Sequence, residues 1–261
     1  MNLAPVASPA APLSRRNPVA KLGAALLFSL PLIATLDPLT PSLALVIELA
    51  VLPFFGVRYR VLARRAWPLT LAAAGILVTM TLFAADREGT VLFWDVTTGV
   101  VTDALGLVLR VFAVALPGII VFATTDPTDL ADALIQNVRA PARFAIGALA
   151  AFRLIPLLAA EWQTLTLARR ARGIDAGRNP LAKLRLFAST AFALLVGALR
   201  RGGRLATAMD ARGFDSGAAR THARRQHFTP ADAALLLAAA LSAGAVLALS
   251  IATGFFHPVL G

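Results

Sequence analysis

The sequence contains no cysteine. Disulfides and thiolate-bound metals are thereby excluded. Its only lysines are Lys21 and Lys183, and neither lies in a G-x-x-x-x-G-K-[ST] run. A phosphate-cradling loop for ATP is therefore absent. The histidines, His222, His227 and His257, are too few and too scattered for a metal site. No Ser/His/Asp set or His/Glu cluster converges on one site, so the chain does not read as an enzyme. Charged residues are also scarce, at 15% of the 261 positions, against roughly 25% in a soluble domain.

What fills the space is apolar. Hydrophobic residues make up 58% of the chain, and the mean hydropathy is +0.73. Such an excess, rich in Leu and Ala, points to several helices in lipid. The formal net charge is +11. A nucleic-acid reading of that charge needs a soluble basic face. Here the bases lie between apolar runs, as membrane orientation requires, so a nucleic-acid partner is not expected.

The runs organise the chain. Residues 1–21 form a Pro- and Ala-rich tail ending in Arg15, Arg16 and Lys21. Residues 22–125 hold four spans: Leu22–Leu36 and Pro38–Val57, both short, then Ala66–Ala85 and Ala104–Thr125. Asp37-Pro38-Leu39-Thr40-Pro41 between the first two is a turn signal. Residues 126–229 carry sixteen of the 25 Lys and Arg and form a separate cytoplasmic region. Residues 230–261 hold a last span, Ala233–Phe256. Arginine-rich loops belong on the cytoplasmic side. Arg15–Lys21, Arg58–Arg65 and the long basic region all fall there if the N-terminus is cytoplasmic, and Asp86–Asp95 falls outside. The expected architecture is all-α: about five spans of a cell-membrane protein plus long cytoplasmic helices.

The basic region is not a linker, because linkers are polar and rich in Gly or Ser. Its patterns predict helices over Thr128–Val138, Arg143–Arg172 and Pro180–Arg212, with a kink at Pro156. The two longer ones are too apolar to lie free in water, so they must cover themselves with each other, the bilayer or a partner.

An internal repeat gives the sharpest signal. Ala168-Arg169-Arg170-Ala171-Arg172-Gly173-Ile174-Asp175-Ala176-Gly177 recurs forty residues later as Ala208-Met209-Asp210-Ala211-Arg212-Gly213-Phe214-Asp215-Ser216-Gly217. Gly173 and Gly213 suit the left-handed position that ends a helix. Arg172 and Arg212 then occupy the helix end, where a cation complements the dipole. Either motif alone reads as an ordinary basic cap. Duplication suggests two equivalent prongs for two equivalent sockets.

On these residues the chain resembles the transmembrane T component of energy-coupling factor (ECF) transporters, importers of vitamins and metal ions. Further family-like stretches follow in order: Asn17–Leu22, Thr124–Leu130, Phe152-Arg153-Leu154-Ile155-Pro156 followed by Glu161, and Ala208–Phe214. The resemblance implies that the two long helices are coupling helices. Their tips, Ala171-Arg172-Gly173 and Ala211-Arg212-Gly213, would each dock on one of two ATP-binding cassette subunits. It also implies a separate substrate-binding membrane S component, and no cofactor on this chain, since the ATPases hold the ATP. Glu161, Asp175, Asp210 and Asp215 stand as supporting residues that either brace the arginines or are solvated. Two other classes compete. An ordinary ABC permease predicts one coupling loop and its own substrate path, and a polytopic membrane enzyme predicts convergent acid, base or metal ligands.

Charges inside spans are functional candidates by default. Asp103 and Arg110 lie two helical turns apart on one face. The favoured reading pairs Arg110 with Glu48 of the second span, because buried charges are nearly always paired.

Overall fold

Asn17 and Pro18 set the start of the first helix. The Asn17 side chain accepts the Val19 amide (2.9 Å), and Pro18 fills the first turn, where no amide is needed. Helix α1 then runs Pro18–Ile33. The computed structural model describes residues 11–35, 37–83, 91–93, 96–214, 216 and 221–254. Along them follow α2 (Leu39–Val51) with a 3-10 turn (Leu52–Phe55), α3 (Tyr59–Phe83), α4 (Thr98–Thr124), α5 (Pro127–Asn137), α6 (Ala142–Ala171), α7 (Pro180–Ala211) and α8 (Pro230–Ala252). A small antiparallel ribbon, β1 (Val91–Phe93) with β2 (Val96–Thr97), precedes α4 and leaves the all-α class unchanged.

The chain falls into two compact units. One holds the helices before residue 140 together with α8. Within it α1 lies against α4, α5 and α8, and α4 also supports α2 and α3. Leu52, Leu62, Ala66, Leu116 and Ile120 form one apolar cluster, and Phe28, Leu32, Ala44, Ala113 and Ala243 form another. A Cβ placed on Gly23 would sit 2.9 Å from Leu236, so the absent side chain is what lets α1 approach α8. The Asp37 turn is tied to the end of α8. Its Oδ2 accepts the Thr40 amide and hydroxyl (2.9 and 2.6 Å) and the Ser250 hydroxyl (2.9 Å).

The second unit, residues 140–225, holds α6 and α7. Their bounds lie within a residue of those expected, and Pro156 sits inside an unbroken α6. The helix α6 buries no residue, and α7 buries Thr190 alone.

Among the described residues, five helices are long and apolar enough to cross a membrane: α3, α4, α6, α7 and α8. The number agrees with the expectation, and α6 and α7 of the basic region meet this length-and-composition criterion along with α3, α4 and α8. The first pair of expected spans forms helices of 16 and 13 residues. At 1.5 Å per α-helical residue, and about 2.0 Å through the 3-10 turn that extends α2 to Phe55, the two reach roughly 24 and 28 Å, short of a core about 30 Å thick. Helices α6 and α7, at 30 and 32 residues, have the length and composition that this pair lacks.

Candidate functional site

The two repeats end their helices in the same way, bond for bond. At the end of α6, the Gly173 amide donates to the Arg170 carbonyl (2.9 Å) and the Ile174 amide to the Arg169 carbonyl (3.0 Å). At the end of α7, Gly213 donates to Asp210 (2.9 Å) and Phe214 to Met209 (3.1 Å). This paired pattern is the Schellman motif, which satisfies carbonyls that a helix end otherwise leaves bare. It requires a left-handed residue just after the cap, and Gly173 and Gly213 have φ of +74° and +70°. Arg172 and Arg212 are the cap residues themselves, with nearly identical backbones (φ −89° and −93°, ψ 9° and 10°). Their guanidinium groups therefore stand at the negative ends of two helix dipoles.

All six tip residues, Ala171, Arg172, Gly173, Ala211, Arg212 and Gly213, are exposed. Asp175 and Asp210 beside them are exposed as well, and Asp215 lies outside the described residues. Beyond the first tip the chain turns through Gly177 (φ +51°) into α7, whose Asn179 cap accepts the Leu181 amide (3.0 Å). A cavity of about 560 Å³ adjoins the second tip, lined by Arg153, Leu205, Arg212 and Phe214.

Side chains that the repeat does not mark hold α6 against α7. Arg169 Nη1 donates to the Leu186 carbonyl (3.2 Å) and to the Ser189 and Thr190 hydroxyls (2.6 and 2.7 Å). Glu161 forms an ion pair with Arg201 of α7, eleven positions before Arg172 in the chain, so its carboxylate is engaged along the helices. The Trp162 and Phe187 rings pack at 5.1 Å. One of these contacts had a trace in the sequence. The repeat places Met209 where the first copy has Arg169, a departure that marks Arg169 as serving only its own copy. The Glu161–Arg201 and Trp162–Phe187 pairings had none, since nothing local links residues so far apart.

Another group of motif residues is brought together by the other unit. The Lys21 ammonium donates to the carbonyls of Ser14 (2.6 Å) and Thr124 (3.1 Å). The Asn17 amide donates to Asp232 Oδ1 (3.0 Å), and the other carboxylate oxygen accepts from the Thr229 amide and hydroxyl (2.8 and 2.6 Å). The Asn17 side chain reaches the His227 carbonyl (3.4 Å). The family-like stretches 17–22 and 124–130 thus meet at the starts of α1, α5 and α8, and the backbone of His227 serves in that frame.

Arg110 does not pair with Glu48. It donates to the carbonyl of Ile33, at the last turn of α1. Helix ends carry partial negative charge on bare carbonyls, and one of these meets the guanidinium instead. Asp103 is exposed. Among the described residues, no three His, Asp or Glu side chains group as metal ligands.

Comparison with known proteins agrees with the sequence resemblance. Residues 9–223 match CbiQ, described as cobalt transport protein. The chain is 30% identical over 254 residues to the energy-coupling factor transporter transmembrane protein EcfT of Bacillus selenitireducens, covering 90% of this chain and 91% of that relative. It is 33% identical over 163 residues to the protein of the same name from Exiguobacterium sibiricum, covering 58% and 62%. The corresponding protein of Limosilactobacillus fermentum is 29% identical over 161 residues, covering 57% and 60%. The aligned chain thus spans less than two thirds of the last two relatives and most of the first.

Proposed function

The chain belongs to the CbiQ family of cobalt transport proteins, and from that premise we propose that it is the transmembrane coupling subunit of an ATP-driven ECF-type importer of a vitamin or metal ion. One observation carries the reading: two helices of one chain end in exposed Ala-Arg-Gly caps closed by the same backbone hydrogen bonds. A single coupling loop, as in an ordinary permease, would need only one.

In this reading each cap seats in one of two ATP-binding cassette subunits. The arginine fork bonds a carboxylate or carbonyls in the groove, in a planar geometry that lysine lacks. ATP binding draws the two ATPases together and shifts the two seated helices. The contacts of Arg169 with α7 and of Glu161 with Arg201 join the helices, so movement of one is felt by the other. The motion tips a separate substrate-binding membrane subunit toward the cytoplasm. This chain contributes no catalytic residue, and ATP hydrolysis belongs to the partners. The sparse burial on α6 and α7 fits helices that are covered by lipid or other subunits.

Co-expression with the two ATPase types and the S component tests this. Affinity purification of this chain is expected to recover both ATPase subunits, and uptake to require all components. Uptake by this chain alone would identify it as a self-sufficient carrier and sink the coupling role.

From the arginine distribution we also infer a cytoplasmic N-terminus and a C-terminus on the outer side. A reporter active only in the cytoplasm, fused after Gly261, is expected to be silent, while the same reporter at the N-terminus is active. Full activity at the C-terminus would reverse this arrangement.

A further inference from the structure

Glu48 is buried in the unit formed by the helices before residue 140 and α8, with 7% of its surface exposed. Both of its carboxylate oxygens are buried and neither has a hydrogen-bond partner. No other described carboxyl has both oxygens in that condition. Buried polar groups in folded proteins are nearly always satisfied, and buried charges are paired. Arg110, a cation on a neighbouring helix, donates to the Ile33 carbonyl and not to Glu48.

The Glu48 side chain lines a cavity of about 270 Å³ between α1, α2, α4 and α8. Its walls are apolar, with Phe28, Ile47, Pro117, Ile120 and Ala239 among them. Only two other polar side chains reach the lining, Lys21 and Ser242. The Lys21 ammonium already donates to Ser14 and Thr124. The Ser242 hydroxyl donates to the Ala239 carbonyl (3.0 Å). Neither group donates to Glu48. The site therefore joins an apolar chamber to one carboxyl that lacks a donor.

From this juxtaposition we propose that the cavity binds a compact organic ammonium ion, its apolar body against the α1, α4 and α8 walls and its N–H groups on Glu48. A hydrocarbon tail would fill the chamber but leave both oxygens bare. A quaternary cation would match a charge but donate no hydrogen bond. A primary ammonium meets both demands and makes a short charge-assisted bond. Size agrees as well. An apolar cavity of about 150 Å³ already holds a benzene, so this one has room for an aryl ring with a short ammonium arm. The proposal does not depend on the coupling role, because it uses none of the tip residues.

The probe is radiolabelled 2-phenylethylamine, which is the ammonium ion at neutral pH, since alkyl ammonium groups titrate near 10. Equilibrium binding to the full chain purified in detergent is expected to be saturable. 2-Phenylethanol, of nearly the same shape but uncharged, is expected to compete at least about tenfold more weakly, the difference that a single charge-assisted contact supplies. Glu48→Gln is expected to weaken binding by a similar factor. Should that variant fail to fold, Ala239→Phe keeps the carboxyl and fills the chamber, and it is expected to lose binding while eluting as the parent does. Equal competition by the alcohol, undiminished binding in Glu48→Gln, undiminished binding in Ala239→Phe, or the lack of saturable binding each overturns the proposal.

Discussion

Replacing Arg172 and Arg212 together by glutamate is expected to abolish capture of the ATPase pair and ATP-driven uptake, while the protein still inserts in the membrane. Both side chains stand exposed on helix ends, so the fold does not depend on them. What they contribute lies in the interface. Breaking a buried charged contact at an interface costs about 2–5 kcal/mol. At about 1.4 kcal/mol per factor of ten, one lost arginine weakens assembly by roughly thirtyfold or more. A single variant is expected to retain partial uptake, because the other tip still holds its subunit. Two losses, each with a new repulsive charge, leave neither tip seated. Lysine at either position is expected to rescue in part, since it restores the charge without the planar fork. A pull-down of the ATPases and a substrate-uptake assay on single and double variants provide the measurement. Normal capture and uptake by the double glutamate variant would reduce the repeat to a pair of helix caps.

The glycines behind those arginines are expected to discriminate sharply between valine and asparagine. A Cβ on Gly173 meets nothing within 4 Å, and on Gly213 it meets only Ser216 at 3.7 Å. Space is therefore not what demands glycine at either tip. The backbone is, because φ values of +74° and +70° lie in the left-handed region. An ordinary L-residue pays roughly 1–2 kcal/mol there, and a β-branched one is an outlier. Asparagine enters the region most readily after glycine. Gly173→Val and Gly213→Val are expected to open the local caps, and the corresponding Asn variants to stay close to the parent. Amide exchange at Ile174 and Phe214, the donors of the longer cap bonds, reads this directly. Faster exchange by roughly tenfold or more in Val, with little change in Asn, corresponds to the expected cost. The same exchange rate in both variants would remove the conformational role.

The Glu48 result bears on how intramembrane charge is read. Pairing was the reasonable expectation for Arg110 and Glu48, because each is a lone charge in an apolar helix. The structure instead gives Arg110 a backbone carbonyl and leaves Glu48, a residue lining a cavity, without a hydrogen-bond partner. A carbonyl at a helix end is invisible to charge counting, yet it accepts a guanidinium when it is the acceptor within reach.

How far a sequence reaches depends on the range of the forces involved. Apolar runs and scattered arginines fix the membrane class, since the cost of a charge or a bare amide in lipid is paid residue by residue. Both long helices and their ends were equally legible. Asn179 and Pro180 open α7, and an Arg-Gly pair closes α6 and α7 through bonds spanning five residues at most. Repetition of that short pattern was what set the tips apart from ordinary caps. Tertiary structure decided what local chemistry leaves open. It put Lys21 on Thr124, Asn17 on Asp232, Arg169 on Thr190 and Glu161 on Arg201. These partners lie from 21 to 215 positions apart. A side chain's choice among such distant groups is set by which helices come within a few ångströms, and that is fixed only when the helices pack.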